Sequence, residues 1–304
     1  GNDHILEYTE IHDTCHEAGE MGSYYMYGSK RVLGERGQLV RFNYWHHLPW
    51  DETYKRFAYT GRHALHVDHM NGDVTLYGNV FWKCDTKSGA FFSGGPDNTV
   101  ENNLFYECSS AINLHDRSWV YAKVNKAPNY VLDKYLRDMK VSEPPWSVRY
   151  PRLATFPEKV TDLTAFLVGN VIERNIAVKC DSVISGSRKT HGMTRIEHNW
   201  QKGDPGLVAP EDGDLRLSPD SAAHTAIGFE PLPMDQIGLY NDELRATWPV
   251  RHPAGIHESV FTAKPTKTEL PSCRALPRTK PVTVDGNLTA EEWGGLDPTT
   301  TVAI

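Results

Sequence analysis

The sequence predicts an all-β chain wound as a right-handed parallel β-helix, a solenoid with a helical insertion and a C-terminal cap. Three observations predict it. A short strand-like signature ending on an Asn-type residue recurs from Ile5 to Asn199. Cysteines keep step with that signature. A second β-prone run follows several of its copies.

The signature occurs as Ile5-Leu6-Glu7-Tyr8-Thr9, Leu39-Val40-Arg41-Phe42-Asn43, Val74 to Asn79, Thr99 to Asn103, Val171 to Asn175 and Arg195 to Asn199. Its terminal positions are separated by 34, 36, 24, 72 and 24 residues, so two intervals are 24 and one is three times 24. A period of this size with short strands suits stacked turns of a solenoid, spaced by roughly 4.8 Å. Asn at a constant place suits the bends, because it tolerates left-handed backbone angles and its amide can bond along a stack. Cys84, Cys108 and Cys180 each lie five residues after an Asn. An interior ladder of small, inert thiols accounts for that spacing, since there is no paired CxxC of a zinc site.

The second strands are Ser23–Tyr27, Ala64–Asp68, Ala90–Gly94 and Ala111–His115. Alternation assigns Tyr24, Met26, Leu65, Val67, Phe91, Ser93, Ile112 and Leu114 to the interior. It turns Tyr25, Tyr27, His66, Asp68, Phe92, Gly94, Asn113 and His115 outward, giving a polar and aromatic stripe.

Residues 117–168 interrupt the period, and Tyr130–Met139 has helical spacing before Pro144-Pro145 and Tyr150-Pro151 break it. This insertion either walls one end of the stripe or decorates the surface without touching a ligand. From Asp204 to about residue 247 the sequence reads as final turns of the solenoid and a cap over its open end. Residues 248–281 read as a Pro-rich linker. Residues 282–304 resemble the opening of a carbohydrate-binding β-sandwich of family 9.

Composition narrows the partners. The chain has 304 residues and a formal charge of −7, from 32 Lys+Arg against 39 Asp+Glu, with no basic block. Nucleic acid is therefore not an expected partner. No apolar run approaches the roughly 18 residues of a membrane span. The chain opens as if within a repeat and reads as a piece of a longer protein, so a missing leader says nothing about location.

The stripe carries sugar-binding chemistry: aromatic faces for C–H surfaces and carboxylates, amides and imidazoles for hydroxyls. Glycosidic cleavage needs two carboxyl groups flanking the bond. Glu20, in the turn before Tyr24, and Asp68, one repeat later, form the expected pair. Tyr25, Tyr27, His66, His69, Phe92, Asn113, His115 and Asp116 are the expected substrate contacts, with Trp119 a further stacking residue. The histidines (His12, His16, His63, His66, His69, His115) match no ligand spacing, so neither a metal nor another cofactor is expected.

Gly19-Glu20-Met21-Gly22-Ser23-Tyr24, Leu39–His46, Leu65-His66-Val67-Asp68, Pro96 to Asn103, Pro144-Pro145-Trp146-Ser147 and Tyr150-Pro151 together resemble right-handed parallel β-helix proteins of bacterial polysaccharide degradation. The resemblance is to glycoside hydrolase family 141, which includes α-L-fucosidase and xylanase activities, and it spans about residues 1–245. It implies a secreted or periplasmic enzyme acting on plant or algal polysaccharide. In such relatives an acidic residue occupies the place of Glu20. The strand matching Leu65–His69 often ends in paired aspartates; here the residues are Asp68 and His69. A polysaccharide lyase and a carbohydrate-binding protein without catalysis are the alternatives.

Overall fold

The computed structural model describes residues 1–15, 20–26, 36–48, 62–69, 71–84, 88–117, 130–158 and 163–238. All lie in the first of the two units into which the chain divides, Gly1–Arg251. The expected linker and sandwich segments, 248–281 and 282–304, fall outside the described residues.

The chain is rich in β-structure and its strands come in triplets. The first holds β1 (Ile5–Glu7), β2 (Glu10–His12) and β3 (Met21–Met26); the second β4 (Gln38–Arg41), β5 (Tyr44–His46) and β6 (Arg62–Val67). The third holds β7 (Val74–Tyr77), β8 (Val80–Trp82) and β9 (Ser88–Phe92). Next come β10 (Thr99–Glu101), β11 (Leu104–Tyr106) and β12 (Ser110–Leu114). The last are β13 (Val171–Glu173), β14 (Ile176–Val178) and β15 (Ser182–Gly186), then β16 (Arg195–Glu197) alone. Each position in the triplet builds its own parallel sheet. Sheet A runs β1-β4-β7-β10-β13-β16, sheet B β2-β5-β8-β11-β14, and sheet C β3-β6-β9-β12-β15.

Why the Asn recurs is visible between sheets A and B. Asn43 Nδ2 donates to Asn79 Oδ1 at 3.0 Å, Asn79 to Asn103 at 3.0 Å, Asn103 to Asn175 at 2.9 Å and Asn175 to Asn199 at 2.9 Å. Each Oδ1 also accepts the backbone N–H of the preceding Asn. The left-handed angle falls one residue earlier than expected: Tyr8, Phe42, Gly78, Asn102, Arg174 and His198 have φ between 51° and 64°. The Asn is thus the residue that satisfies the bend's backbone groups, and its neighbour makes the bend. Asn98 and Asn170 form a second, shorter ladder before sheet A, with Asn98 N–H donating to Asn170 Oδ1 at 2.8 Å.

The core lies between the sheets. Leu65, Val67, Val40, Leu76, Val100, Ile112 and Leu114 share one buried cluster with Trp45, Phe81 and Phe105. Those three rings come from register-matched positions of β5, β8 and β11 and stack at 4.9 and 4.6 Å, each pair within 6° of parallel. Cys84 and Cys108 belong to the same cluster, and Cys180 packs against it. Burial pushes the Cys108 thiol well above its ordinary value.

One of the two remaining segments differs from expectation. The insertion forms α1 (Tyr130–Asp138), α2 (Trp146–Arg149) and α3 (Pro151–Ala154) around a small core of Leu136, Tyr150, Leu153, Phe156 and Phe166. It attaches to the turns leading into sheet A: Tyr150 donates to Asp3 at 2.6 Å and Arg152 to Asp97 at 3.2 Å. Of the described residues of 117–168, only Arg117 reaches the stripe's groove. The segment from Asp204 adds no further triplet. It makes an antiparallel pair, β17 (Leu207–Ala209) with β18 (Asp214–Leu217), and lays Leu215, Ala223, Phe229, Met234 and Ile237 on the outer face of sheet B, against Tyr44, Val80, Trp82, Leu104 and Tyr106. Those outward residues are apolar, so the flank rather than the end is the surface that gains most from cover.

Candidate functional site

The site is built by register on sheet C. Tyr25 pairs with His66, His66 with Phe91, Phe91 with Asn113, and Asn113 with Ser185. Parallel pairing places these side chains in one row across five strands. Two residues onward lie Asp68, Ser93, His115 and Ser187. The two rows form a groove of about 550 Å³ bordered by His66, Asp68, Phe91, Ser93, Asn113, His115, Gly186 and Ser187, with Glu20 and Arg117 also on its walls. Gly186 has φ 107°, and a Cβ there would meet Leu114 O at 2.0 Å, so this stretch of wall has room only for glycine.

Asp68 is 4% exposed. Tyr25 Oη donates to Asp68 Oδ2 at 2.6 Å, and the His69 backbone N–H donates to Asp68 Oδ1 at 2.7 Å. His69 carries φ 53°, the left-handed turn that directs this N–H back toward the carboxylate. His69 Nε2 stands 3.4 Å from Oδ2, and His66 Nε2 stands 3.7 Å from Oδ1, an electrostatic approach longer than a hydrogen bond. Burial acts to raise the Asp68 carboxyl. His66, the Tyr25 hydroxyl, the His69 N–H and the His69 ring outweigh it and hold Asp68 well below the usual carboxylate range. Burial also lowers the His69 imidazole, against the pull of Asp68, and Arg117 adds to that lowering.

Glu20 is exposed and also has a left-handed φ, 53°. Its Oε1 is 3.8 Å from Arg117 Nη2. His66 is 2% exposed, and neither of its ring nitrogens has a hydrogen-bond partner among the described residues. Tyr25 meets its ring edge-on at 4.6 Å and Phe91 at 4.7 Å. Asn113 Nδ2 donates to Ser185 Oγ at 2.9 Å.

Glu20 and Asp68 therefore border one groove, as do His66, Asn113 and His115. Tyr25 and His69 act on Asp68 rather than lining the wall. Asp116 is outside the lining and pairs with His115 Nδ1 at 3.5 Å. Tyr27, His16 and Trp119 lie outside the described residues. Phe92 is a correction: it is 3% exposed and sits in the core with Val67 and Leu114, while Phe91 faces the groove and stacks on His63 at 4.4 Å. Ala90, not Phe91, pairs with inward Leu65, which shifts the strand's faces by one residue. Counting from the Asn ladder carries that signal. Ile112 and Leu114 lie at odd offsets from Asn103, and Ala90 and Phe92 at odd offsets from Asn79. Alternation assigned Phe91 and Ser93 to the interior, and both border the groove instead; Ser185 on the row and Ser187 on the wall were not assigned.

No protein-family model, no curated protein and no solved structure matches this chain.

Proposed function

We propose that the chain is a right-handed parallel β-helix whose sheet C groove binds a polysaccharide or oligosaccharide, and that it is a glycoside hydrolase similar to family 141. The winding is supported by the strand order, because β1 to β4, β4 to β7 and β7 to β10 are each crossovers between parallel neighbours. Such connections are right-handed in about 98% of cases. A crystal structure with left-handed crossovers would overturn this part.

The observation that carries the chemistry is Asp68: a buried carboxylate kept ionised by Tyr25, His66 and His69 on the wall of a groove that Glu20 also borders. An ionised, oriented carboxylate is what a nucleophile or base of glycosidic cleavage requires, and a second, movable carboxyl serves as the acid. Asp68 takes the first role and Glu20 the second. The His66 ring and the Asn113 amide supply hydroxyl contacts, and Phe91 the apolar platform. The substrate class is plant or algal polysaccharide, met in a secreted or periplasmic setting. The test is reducing-sugar release from a polysaccharide panel by the wild type, Asp68→Asn and Glu20→Gln. Loss of turnover in both, with sugar binding kept, is expected. Full activity in both variants, or binding without release by the wild type, overturns the reading.

One observation favours a second reading, a polysaccharide lyase. Arg117 lines the groove beside the imidazoles of His66 and His115. A cation to neutralise a uronate and an imidazole within reach of the α-proton are lyase requirements. Products absorbing in the ultraviolet as unsaturated uronides, lost in Arg117→Ala, distinguish it.

A further inference from the structure

A second cluster of ligand-type side chains stands on sheet B, away from the sheet C groove and independent of the reading given for it. β2 and β5 pair with Glu10 opposite Tyr44 and His12 opposite His46. Glu10 and His12 are two residues apart on one strand, so they share a face, and parallel pairing brings His46 onto that face beside them. His46 Nε2 is 3.0 Å from Glu10 Oε1, and the His12 and His46 rings stack at 4.8 Å with 11° between their planes. One ligand atom from each of Glu10, His12 and His46 lies within 4.8 Å of the other two.

Both rings are held by their other nitrogen. His12 Nδ1 is 2.7 Å from Asp13 Oδ2, and His46 Nδ1 is 2.7 Å from His47 Nδ1. His47 is itself seated edge-on against Trp82 at 4.9 Å. This is how metal-binding histidines are oriented: an outer partner engages one nitrogen and turns the second toward the ion. His46 is fully buried and the Glu10 side chain is 12% exposed, whereas the His12 side chain is 38% exposed. Two positions are thus rigid and the third is adjustable, on the side open to solvent.

We propose that Glu10, His12 and His46 form a binding site for a divalent transition-metal ion of the zinc class, through Nε2 of both rings and one oxygen of Glu10. Ligand arms of about 2.0–2.1 Å place neighbouring ligand atoms of a tetrahedral site about 3.3–3.4 Å apart, within a few tenths of an ångström of the Glu10–His46 separation of 3.0 Å. His12 completes the site by rotating its side chain inward. Two imidazoles and a carboxylate favour zinc, cobalt, nickel or ferrous iron over calcium or magnesium. The ion ties the first two triplets together and keeps a fourth position for water.

The test uses the full chain, stripped with a chelator and titrated with Co²⁺ and then Zn²⁺. One equivalent of Co²⁺ is expected to bind, to give visible d–d bands and to be displaced by Zn²⁺, with a rise in Tm. His12→Ala and Glu10→Gln should each weaken binding at least about tenfold, and Asp13→Asn by about 10- to 100-fold, while the metal-free Tm stays near that of the wild type. X-ray absorption of the Zn²⁺-loaded wild type should report two imidazole ligands, a readout that needs no variant. No saturable binding, unchanged affinity in both His12→Ala and Glu10→Gln, or fewer than two imidazoles around zinc overturns the site.

Discussion

Tyr25 Oη donates a 2.6 Å hydrogen bond to Asp68 Oδ2 across 43 residues of sequence, because β3 and β6 are register-matched neighbours in sheet C. A bond to a charged acceptor is worth about 1.5–3 kcal/mol. Tyr25→Phe is therefore expected to weaken the hold on ionised Asp68 and to move the acidic limb of the activity profile to higher pH. Rates of the proposed glycosidase reaction, measured across pH for wild type and variant, check this. An unmoved acidic limb refutes the role given to Tyr25.

The same depressed Asp68 carboxyl makes stability pH-dependent. Its contribution is fully present above the unfolded carboxyl's pKa, about 3.9, and is lost as pH falls through the lower folded value. Urea midpoints taken from pH 7 down to pH 3 should fall less steeply for Asp68→Asn than for the wild type. Parallel slopes would show that Asp68 is not held ionised by the fold.

Asn103 is the middle of the inter-sheet ladder. It accepts from Asn79 Nδ2 and N–H and donates to Leu76 O, Glu101 O and Asn175 Oδ1. Asn103→Ala leaves several buried groups unpaired, each costing about 1–3 kcal/mol. A loss of at least about 3 kcal/mol in urea unfolding is expected, against little change for an exposed control such as Asp220→Ala. A loss no larger than the control's would mean the ladder is not a main support.

Phe91 and Phe92 separate binding from stability. Phe92→Ala opens a core cavity and should cost about 3–5 kcal/mol. Phe91→Ala should unfold near the wild-type midpoint and bind oligosaccharide more weakly. Calorimetry of folding and of sugar binding reads both quantities, and the reversed pattern would mean that the strand faces are exchanged.

Cys84 and Cys108 are buried within the core cluster. Thiol alkylation followed by mass spectrometry should leave both unmodified in the native protein and modify both after denaturation. Labelling of either under native conditions would contradict their interior place.

Much of the architecture is legible in the chain, since a repeat writes local chemistry many times over. Asn43, Asn79, Asn103, Asn175 and Asn199 mark the same bend, and Cys84, Cys108 and Cys180 keep a constant distance from it. Repetition averages out the ambiguity of any single short strand. Leu65, Val67, Ile112 and Leu114 could be assigned inward for the same reason. The site was legible where a polar residue stood on a well-phased strand, as with His66, Asp68 and Asn113. Alternation alone misread Phe91 and Phe92, where two adjacent identical side chains carry no phase of their own; the count from Asn79 and the pairing of Ala90 with Leu65 separate them.

The sequence by itself determined the period, the residues that close each bend and the apolar side of most strands, because these follow from interactions near in sequence and repeated along the chain. Tertiary structure alone decided where the segment after Asp204 came to rest. It also decided that Tyr25 reaches Asp68, and that His46 meets Glu10 and His12 on another sheet. Those contacts join separate triplets, and their geometry depends on register between strands, which no single stretch of sequence contains.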